Sequence, residues 1–138
     1  MSAVDHEAIL QSDGSGNVLF ILFIPTRDRD GGEIPDSAQW VVAAQRLLGR
    51  LFEGCTTMPP AEGIWLNPET GELIAERVFL IHSYTNPDTA NSAKKIEEIA
   101  EFLHRMGRET NQGEIALVIG DVFHRIKQFS IPDDSRQS

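Results

Sequence analysis

VLFILFI, at residues Val18–Ile24, decides the fold of this chain, because it is the longest unbroken apolar run in the sequence. A strand with one wet face alternates between apolar and polar residues, whereas a strand covered on both faces is apolar throughout. The run therefore predicts a central strand of a sheet. It is far shorter than the roughly 18 residues that a membrane helix needs, so no membrane-spanning segment is expected.

A helix and an edge strand are predicted after this run. Apolar residues recur at helical spacing from Asp36 to Phe52, and Gln39 follows Asp36 by three positions, as in a capping box. Cys55–Leu66 has a weaker strand pattern that contains Pro59-Pro60. Proline is tolerated mainly at a sheet edge, so this strand is expected at the edge.

The second half of the chain repeats the pattern and adds one strand. The predicted elements are a long strand at Leu73–Tyr84, a helix at Ser92–Met106 ended by Gly107, and short strands at Glu114–Ile119 and Val122–Ile126. The order βαββαβ(β) is that of a ferredoxin-like α+β fold, with an antiparallel sheet and two helices on one face. Residues 17–128 are expected to form this single domain, after a flexible lead-in at 1–16 and before a disordered tail at 129–138.

The predicted sheet has apolar side chains on both faces of its centre. Val18–Ile24 is apolar at every position, and on the long strand Phe79 and Ile81 face one way while Val78 and Leu80 face the other. Two helices can cover only one face, and a bare apolar face is a liability in a soluble protein. We therefore expect a homodimer packed through the other face. The alternative is that the last strand and the tail curl over it.

Composition and charge exclude several classes of function. The chain carries 12 Lys and Arg against 21 Asp and Glu, a net charge of −9, so a surface for duplex nucleic acid is not expected. A single cysteine, Cys55, excludes an internal disulfide and is typical of a cytoplasmic protein. No dinucleotide, phosphate-loop or metal-ligand motif is present, so neither a cofactor nor a metal ion is predicted.

Two charged loops are expected to meet at one end of the sheet. The loop after the first strand and the loop before the fourth lie side by side in this topology, because those strands are neighbours. Arginine and glutamine suit the binding of a planar anion, since their donors are fixed in one plane. The candidate ligand-binding residues in these loops are Arg27, Arg29, Arg105, Arg108, Gln112 and Glu114.

Three residues near the same end are candidates for acid–base catalysis: Glu76, His104 and Glu109. Glu76 is expected to share a strand face with Val78 and Leu80, where partial burial would raise its pKa. A carboxyl or imidazole group tuned in this way can move protons at neutral pH. The same charges could equally form a solvated rim of weak surface ion pairs.

The sequence leaves two functions open. Because no catalytic constellation is complete, the preferred prediction is a non-enzymatic binding or interaction module, with the charged loops holding a small anionic ligand or a protein partner. The alternative is a small acid–base enzyme of the hydrolase or phosphodiesterase type at the same end of the sheet.

Three short motifs carry a resemblance that spans about residues 18–126. They are Gly63-Ile64-Trp65 before a hairpin, Glu76 inside the following strand, and the Gly107–Glu114 segment with Gln112. In this respect the chain resembles a set of small bacterial proteins of uncharacterised function. The resemblance implies a compact α+β domain and carries no known activity, substrate or residue role.

Overall fold

A computed structural model describes residues 3–13 and 16–129 of the chain. Its elements, in chain order, are α1 (His6–Leu10), β1 (Val18–Pro25), α2 (Ser37–Phe52), β2 (Thr56–Leu66), β3 (Leu73–Thr85), α3 (Pro87–Ala90), α4 (Ala93–Glu109), β4 (Ile115–Ile119) and β5 (Val122–Ile126).

The five strands form one antiparallel sheet in the order β2-β3-β1-β4-β5. This confirms the predicted α+β architecture, with β1 and β3 inside the sheet and β2 at an edge. The strand pairing of β2 with β3 slips between Met58 and Ala61, where the two prolines stand. Proline has no N–H to give to a ladder, so an edge strand with an irregularity is where it fits.

The core lies between one face of the sheet and the two long helices. Alternate residues of β1, Phe20, Leu22 and Ile24, are fully buried there. They pack with Leu48 of α2 and Leu103 of α4 in a single apolar cluster. Both long helices therefore cover the same sheet face, as predicted.

The opposite sheet face is left open. Leu19, Ile21 and Phe23 alternate with the core residues of β1 and are only partly buried. β5 extends the sheet beside β4, and Phe129 packs on the helix side against the core. The sequence left open the alternative that the last strand and the tail curl over this face. As far as residue 129, neither of them does so.

Two local predictions about helix ends are wrong. Asp36 precedes α2 but has a left-handed backbone conformation, with φ of 58°, and its side chain makes no capping hydrogen bond. Gly107 does not end α4, which continues to Glu109. The reason is tertiary: a Cβ at position 107 would overlap the ring of Phe129, so glycine serves packing here and not helix termination.

Some predictions about the chain ends are also modified. The lead-in expected at 1–16 contains a short helix, α1, whose N-terminus is capped by the Asp5 side chain. The disordered tail predicted at 129–138 lies outside the described residues except for Phe129. Among the residues that the structure describes, no helix is both long and apolar enough to cross a membrane.

The role of Gly107 can be tested by the same substitution at two helical glycines. Gly49→Ala in α2 meets no neighbouring atom and should stabilise the protein by about 0.5–1 kcal/mol through helix propensity. Gly107→Ala should not do so, because its Cβ displaces Phe129. In a Phe129→Ala background, Gly107→Ala should become stabilising. Urea unfolding of the four variants measures this coupling, and additive effects of Gly107→Ala and Phe129→Ala would contradict the packing.

Candidate functional site

The two charged loops meet, as the topology predicts. The Arg29 N–H donates to the Asn111 carbonyl at 2.9 Å, and the Asn111 side-chain amide donates to the Asp30 carboxylate at 3.1 Å. The Gln112 side-chain amide donates to the Arg27 carbonyl at 2.8 Å. These three hydrogen bonds tie the loop after β1 to the segment between α4 and β4.

The loop after β1 is also held from within. The Asp28 carboxylate accepts the N–H groups of Asp30 and Gly32, both at 2.9 Å. Gly31 takes a positive φ of 86°, a conformation that glycine adopts without steric cost. The Arg27 guanidinium donates to the Gly31 carbonyl at 3.0 Å. The loop is therefore a hydrogen-bonded turn that fixes the position of Arg27 just after β1.

Glu76 is half-buried beside this loop. Arg27 lies opposite Glu76, two residues beyond the last β1–β3 pair of Pro25 and Val78, and its main-chain N–H faces the Glu76 carboxylate. Burial raises the pKa of Glu76 above its ordinary value of 4.5, and the hydrogen bond and positive charge of Arg27 offset only part of that rise. Burial removes water from the ionised carboxylate and so makes it less stable. A cationic ligand replaces that lost stabilisation, and therefore favours a buried carboxylate more than an exposed one.

Small residues leave room next to Glu76. Gly63 of β2 stands directly opposite it in the strand pairing, and Ala61 stands opposite Val78. Trp65 pairs with Ile74, which makes Trp65 the diagonal neighbour of Glu76 on the same face, and its side chain is 43% exposed. Glycine and alanine have little or no side chain, so the surface should be low at this point of the open sheet face; the place beside Glu76, Trp65 and Arg27 is called the recess below.

The other two catalytic candidates lie elsewhere. His104 and Glu109 belong to α4, which covers the opposite face of the sheet. The ring of His104 meets that of Phe129 edge-on, with centroids 6.1 Å apart, and Glu109 pairs with Arg105 at 3.6 Å. Neither is placed to act with Glu76 on one substrate within a single chain.

The remaining ligand-binding candidates are dispersed. Arg105 stacks on the ring of Trp40, 5.3 Å from its centroid, and Arg108 lies in the last turn of α4. Glu114 pairs with Arg125 of β5 at 3.0 Å. The predicted site therefore divides, with Arg27 and Gln112 near Glu76 and the α4 residues on the helix side.

An open cleft of about 500 Å³ lies on the helix side, between the loop after β1 and the adjoining ends of α2 and α4. Of the predicted arginines, Arg105 lines it. Its charged lining otherwise consists of carboxylates, namely Asp28, Glu33, Asp36 and Glu109. This excess of negative charge makes the cleft unsuitable for the anion that the arginines suggested.

Asn111 was not among the predicted site residues, although it provides two of the three ties between the loops. Its backbone is left-handed, with φ of 52°, just after the end of α4. Asparagine is one of the few residues that adopt this conformation readily, so its place after a helix was the available sequence signal.

Comparison with known proteins shows a likeness in structure. No family model and no curated protein matches the chain. Its structure is similar to that of a phage SAM lyase in complex with S-methyl-5'-thioadenosine, with a TM-score of 0.58 and 14% identity over 83% of this chain and 92% of the lyase. The apo state of a phage SAM lyase gives a TM-score of 0.60 and 12% identity over 87% and 96% of the two chains. At these identities the likeness concerns the fold.

The likeness corrects the preferred prediction of function. The prediction of a non-enzymatic binding module is wrong, because the two similar solved structures described above are of SAM lyase, which is an enzyme. The alternative prediction, a small enzyme, agrees better with these neighbours.

The raised pKa of Glu76 predicts a pH-dependent effect on stability. A glutamate whose pKa is higher in the folded state stabilises the fold at pH values below its ordinary 4.5, and this contribution is lost as pH rises through the folded value. Glu76→Gln, which cannot ionise, should therefore gain stability relative to the wild type as pH rises from below 4.5 to neutrality. Urea unfolding at several pH values measures the difference. A difference that does not change with pH, or that changes in the opposite direction, would contradict the burial of Glu76.

Proposed function

We propose that the chain is a lyase that cleaves S-adenosylmethionine to S-methyl-5'-thioadenosine in the recess around Glu76. The fold neighbours, described as SAM lyases, supply the reaction class. The observation that carries the proposal is the half-buried Glu76 carboxylate with Arg27 beside it, on an open apolar sheet face.

The pair formed by Glu76 and Arg27 matches the charges of the proposed substrate. The methionine end of S-adenosylmethionine carries an ammonium, a carboxylate and a sulfonium. Glu76 offers a negative partner to the cationic groups, and Arg27 offers a guanidinium to the carboxylate. The anion predicted from the arginines is then one end of a zwitterion. The substrate is a net cation, which a chain of net charge −9 attracts.

The proposed reaction needs no external co-reactant. The substrate's own carboxylate oxygen attacks the methionine side-chain carbon that is bonded to the sulfonium, and closes a five-membered lactone. The electron pair of the broken carbon–sulfur bond returns to sulfur, which leaves as the neutral thioether. Opposite charges are neutralised in this step, so an apolar surface that removes water from both of them favours it.

Trp65 is suited to hold the adenine ring of the substrate. It is the diagonal neighbour of Glu76 and is partly exposed. Stacking of a base on an aromatic side chain is worth roughly 1–3 kcal/mol. In this proposal Trp65 binds the part of the molecule that the product keeps, while Glu76 and Arg27 bind the part that is lost.

The proposal is tested by two matched substitutions on one hairpin. Wild-type protein should release S-methyl-5'-thioadenosine from S-adenosylmethionine, as measured by chromatography. Glu76→Gln should lower kcat/KM by about two orders of magnitude, a loss of roughly 3 kcal/mol of transition-state stabilisation. Glu62→Gln changes an exposed glutamate that the strand alternation places on the other face, so it should keep full activity.

Absence of product from the folded wild type would contradict the proposed function. Equal activity of the wild type and Glu76→Gln would contradict the assignment of the site.

We also propose that the chain self-associates as a homodimer through the open sheet face. The half-buried side chains of Leu19, Ile21, Phe23 and Leu80 and the exposed ring of Phe123 support this. Apolar area of this kind is stabilised when it leaves water. A second copy on this face would also screen the recess at Glu76 from solvent.

Self-association is tested by placing a charge on each side of the sheet. Ile21→Lys puts an ammonium in the middle of the open face and should convert the dimer to a monomer, because an unpaired charge cannot be buried there at low cost. Val42→Lys on the exposed side of α2 should leave the mass unchanged. Light scattering coupled to size exclusion gives both masses. A monomeric wild type at micromolar concentration would contradict the proposed dimer.

A further inference from the structure

We propose that Gln112 is a positioning residue for Glu76, because it holds the carbonyl of the residue whose N–H contacts the Glu76 carboxylate. The inference rests on the proposed function of Glu76 and extends the site to a side chain on the opposite side of the loop.

Gln112 makes two contacts within its own segment and one across to the loop after β1. Its main-chain N–H donates to the Gly107 carbonyl at 2.9 Å, which joins it to the last turn of α4. Its side-chain amide donates to the Thr110 carbonyl at 3.2 Å and to the Arg27 carbonyl at 2.8 Å. A side-chain amide has two N–H donors, so both are used and the orientation of the amide is determined.

Both main-chain polar groups of Arg27 have hydrogen-bond partners. The carbonyl accepts from Gln112, and the N–H donates to Glu76. The preceding residue is held as well, because the Thr26 hydroxyl donates to the Arg77 carbonyl, at 2.6 Å, next to Glu76 in β3. Arg27 is thus fixed between α4 and β3, and Gln112 supplies the fixation on the α4 side.

The ties from Asn111 serve a different part of the loop. They reach Arg29 and Asp30, which have no contact with Glu76 among the bonds described above. Substitution of Asn111 should therefore loosen the outer loop and leave the Arg27 N–H in place. This difference separates a positioning role from a general loss of loop order.

The surroundings of Glu76 make Arg27 the charged group that acts on it. On β2 the opposite residue is Gly63 and the diagonal one is Trp65; on β3 the same-face neighbours are Ile74 and Val78. None of these four titrates. Loss of the Gln112 anchor releases the Arg27 carbonyl, while the main-chain hydrogen bonds from Ile34 to Thr26 and from Asp28 to Gly32 remain. The hydrogen bond that favours the ionised Glu76 carboxylate should then weaken. The pKa of Glu76 should then rise further, so less of the anionic form is present at a given pH.

The test is a carbon-13 NMR titration of the Glu76 carboxyl group in ligand-free protein, for the wild type, Gln112→Ala and Asn111→Gly. Glycine at position 111 keeps the left-handed backbone while removing the side-chain amide. Gln112→Ala should raise the midpoint of the Glu76 titration, and Asn111→Gly should not. Gln112→Met, which keeps the length of the side chain but has no donor, should behave as Gln112→Ala and replaces it if the alanine variant fails to fold.

Binding of S-adenosylmethionine, measured by calorimetry across pH, gives the second readout. Below the midpoint each unit of pKa change alters the ionised fraction about tenfold. The loss of affinity with falling pH should therefore begin at higher pH in Gln112→Ala than in the wild type. An unchanged Glu76 midpoint in both Gln112 variants would overturn the positioning role even if the wild type binds substrate. A raised midpoint together with no binding by the wild type would instead contradict the proposed function and leave the positioning of Glu76 intact.

Discussion

The structure depends on one constraint: β1 is apolar on both faces, and the two long helices can cover only one of them. Phe20, Leu22 and Ile24 are fully buried against α2 and α4. Leu19, Ile21 and Phe23 point the other way and keep partial contact with solvent. Burial of an apolar side chain contributes roughly 1.5–3 kcal/mol. The covered face therefore stabilises the fold, and burial of the open face by a partner would stabilise an association in the same way.

The same constraint explains why Glu76, an ionisable group on the open face of the sheet, has a shifted pKa. On the helix side, the charged residues of α4 lie near solvent, and Arg105 and Glu109 neutralise one another in an exposed pair that contributes little to stability. On the open face, Glu76 stands among apolar neighbours and opposite a glycine. A carboxylate there is poorly solvated, yet it is kept in register by the Arg27 main chain. Groups that cost stability and have a raised pKa are common at functional sites, since function and stability make different demands.

The fold could be predicted because its signals are local and repeat along the chain. The apolar run of β1, the helical spacing in α2 and α4, and Pro59-Pro60 in β2 each favour one element, and their order determines the sheet. Two predictions of helix ends are wrong. Gly107 lies inside α4 because Phe129, more than 20 residues later, packs against it, and Asp36 leaves its carboxylate unused for capping. Periodicity in a window of sequence contains no information about either.

The site was predictable in part for the same reason. Strand alternation places Glu76 with Val78 and Leu80, and topology brings Arg27 near Gln112. The expected convergence of all the arginines fails, because Arg105 and Arg108 belong to α4 on the helix side of the sheet, whereas Arg27 lies beside Glu76 on the open face. The pairing of Glu114 with Arg125 also depends on how β4 and β5 are aligned, which no motif specifies.

The most direct test of the account is to map where S-methyl-5'-thioadenosine binds, by following amide NMR shifts during a titration. This ligand lacks the charged end of the substrate, so its binding reports the place of the recess and not the ionisation of Glu76. The account predicts that the largest shifts occur at Gly63, Trp65 and Glu76 on the open sheet face. Shifts centred on Trp40 and Arg105 in the helix-side cleft, or no shifts at millimolar ligand, would contradict it.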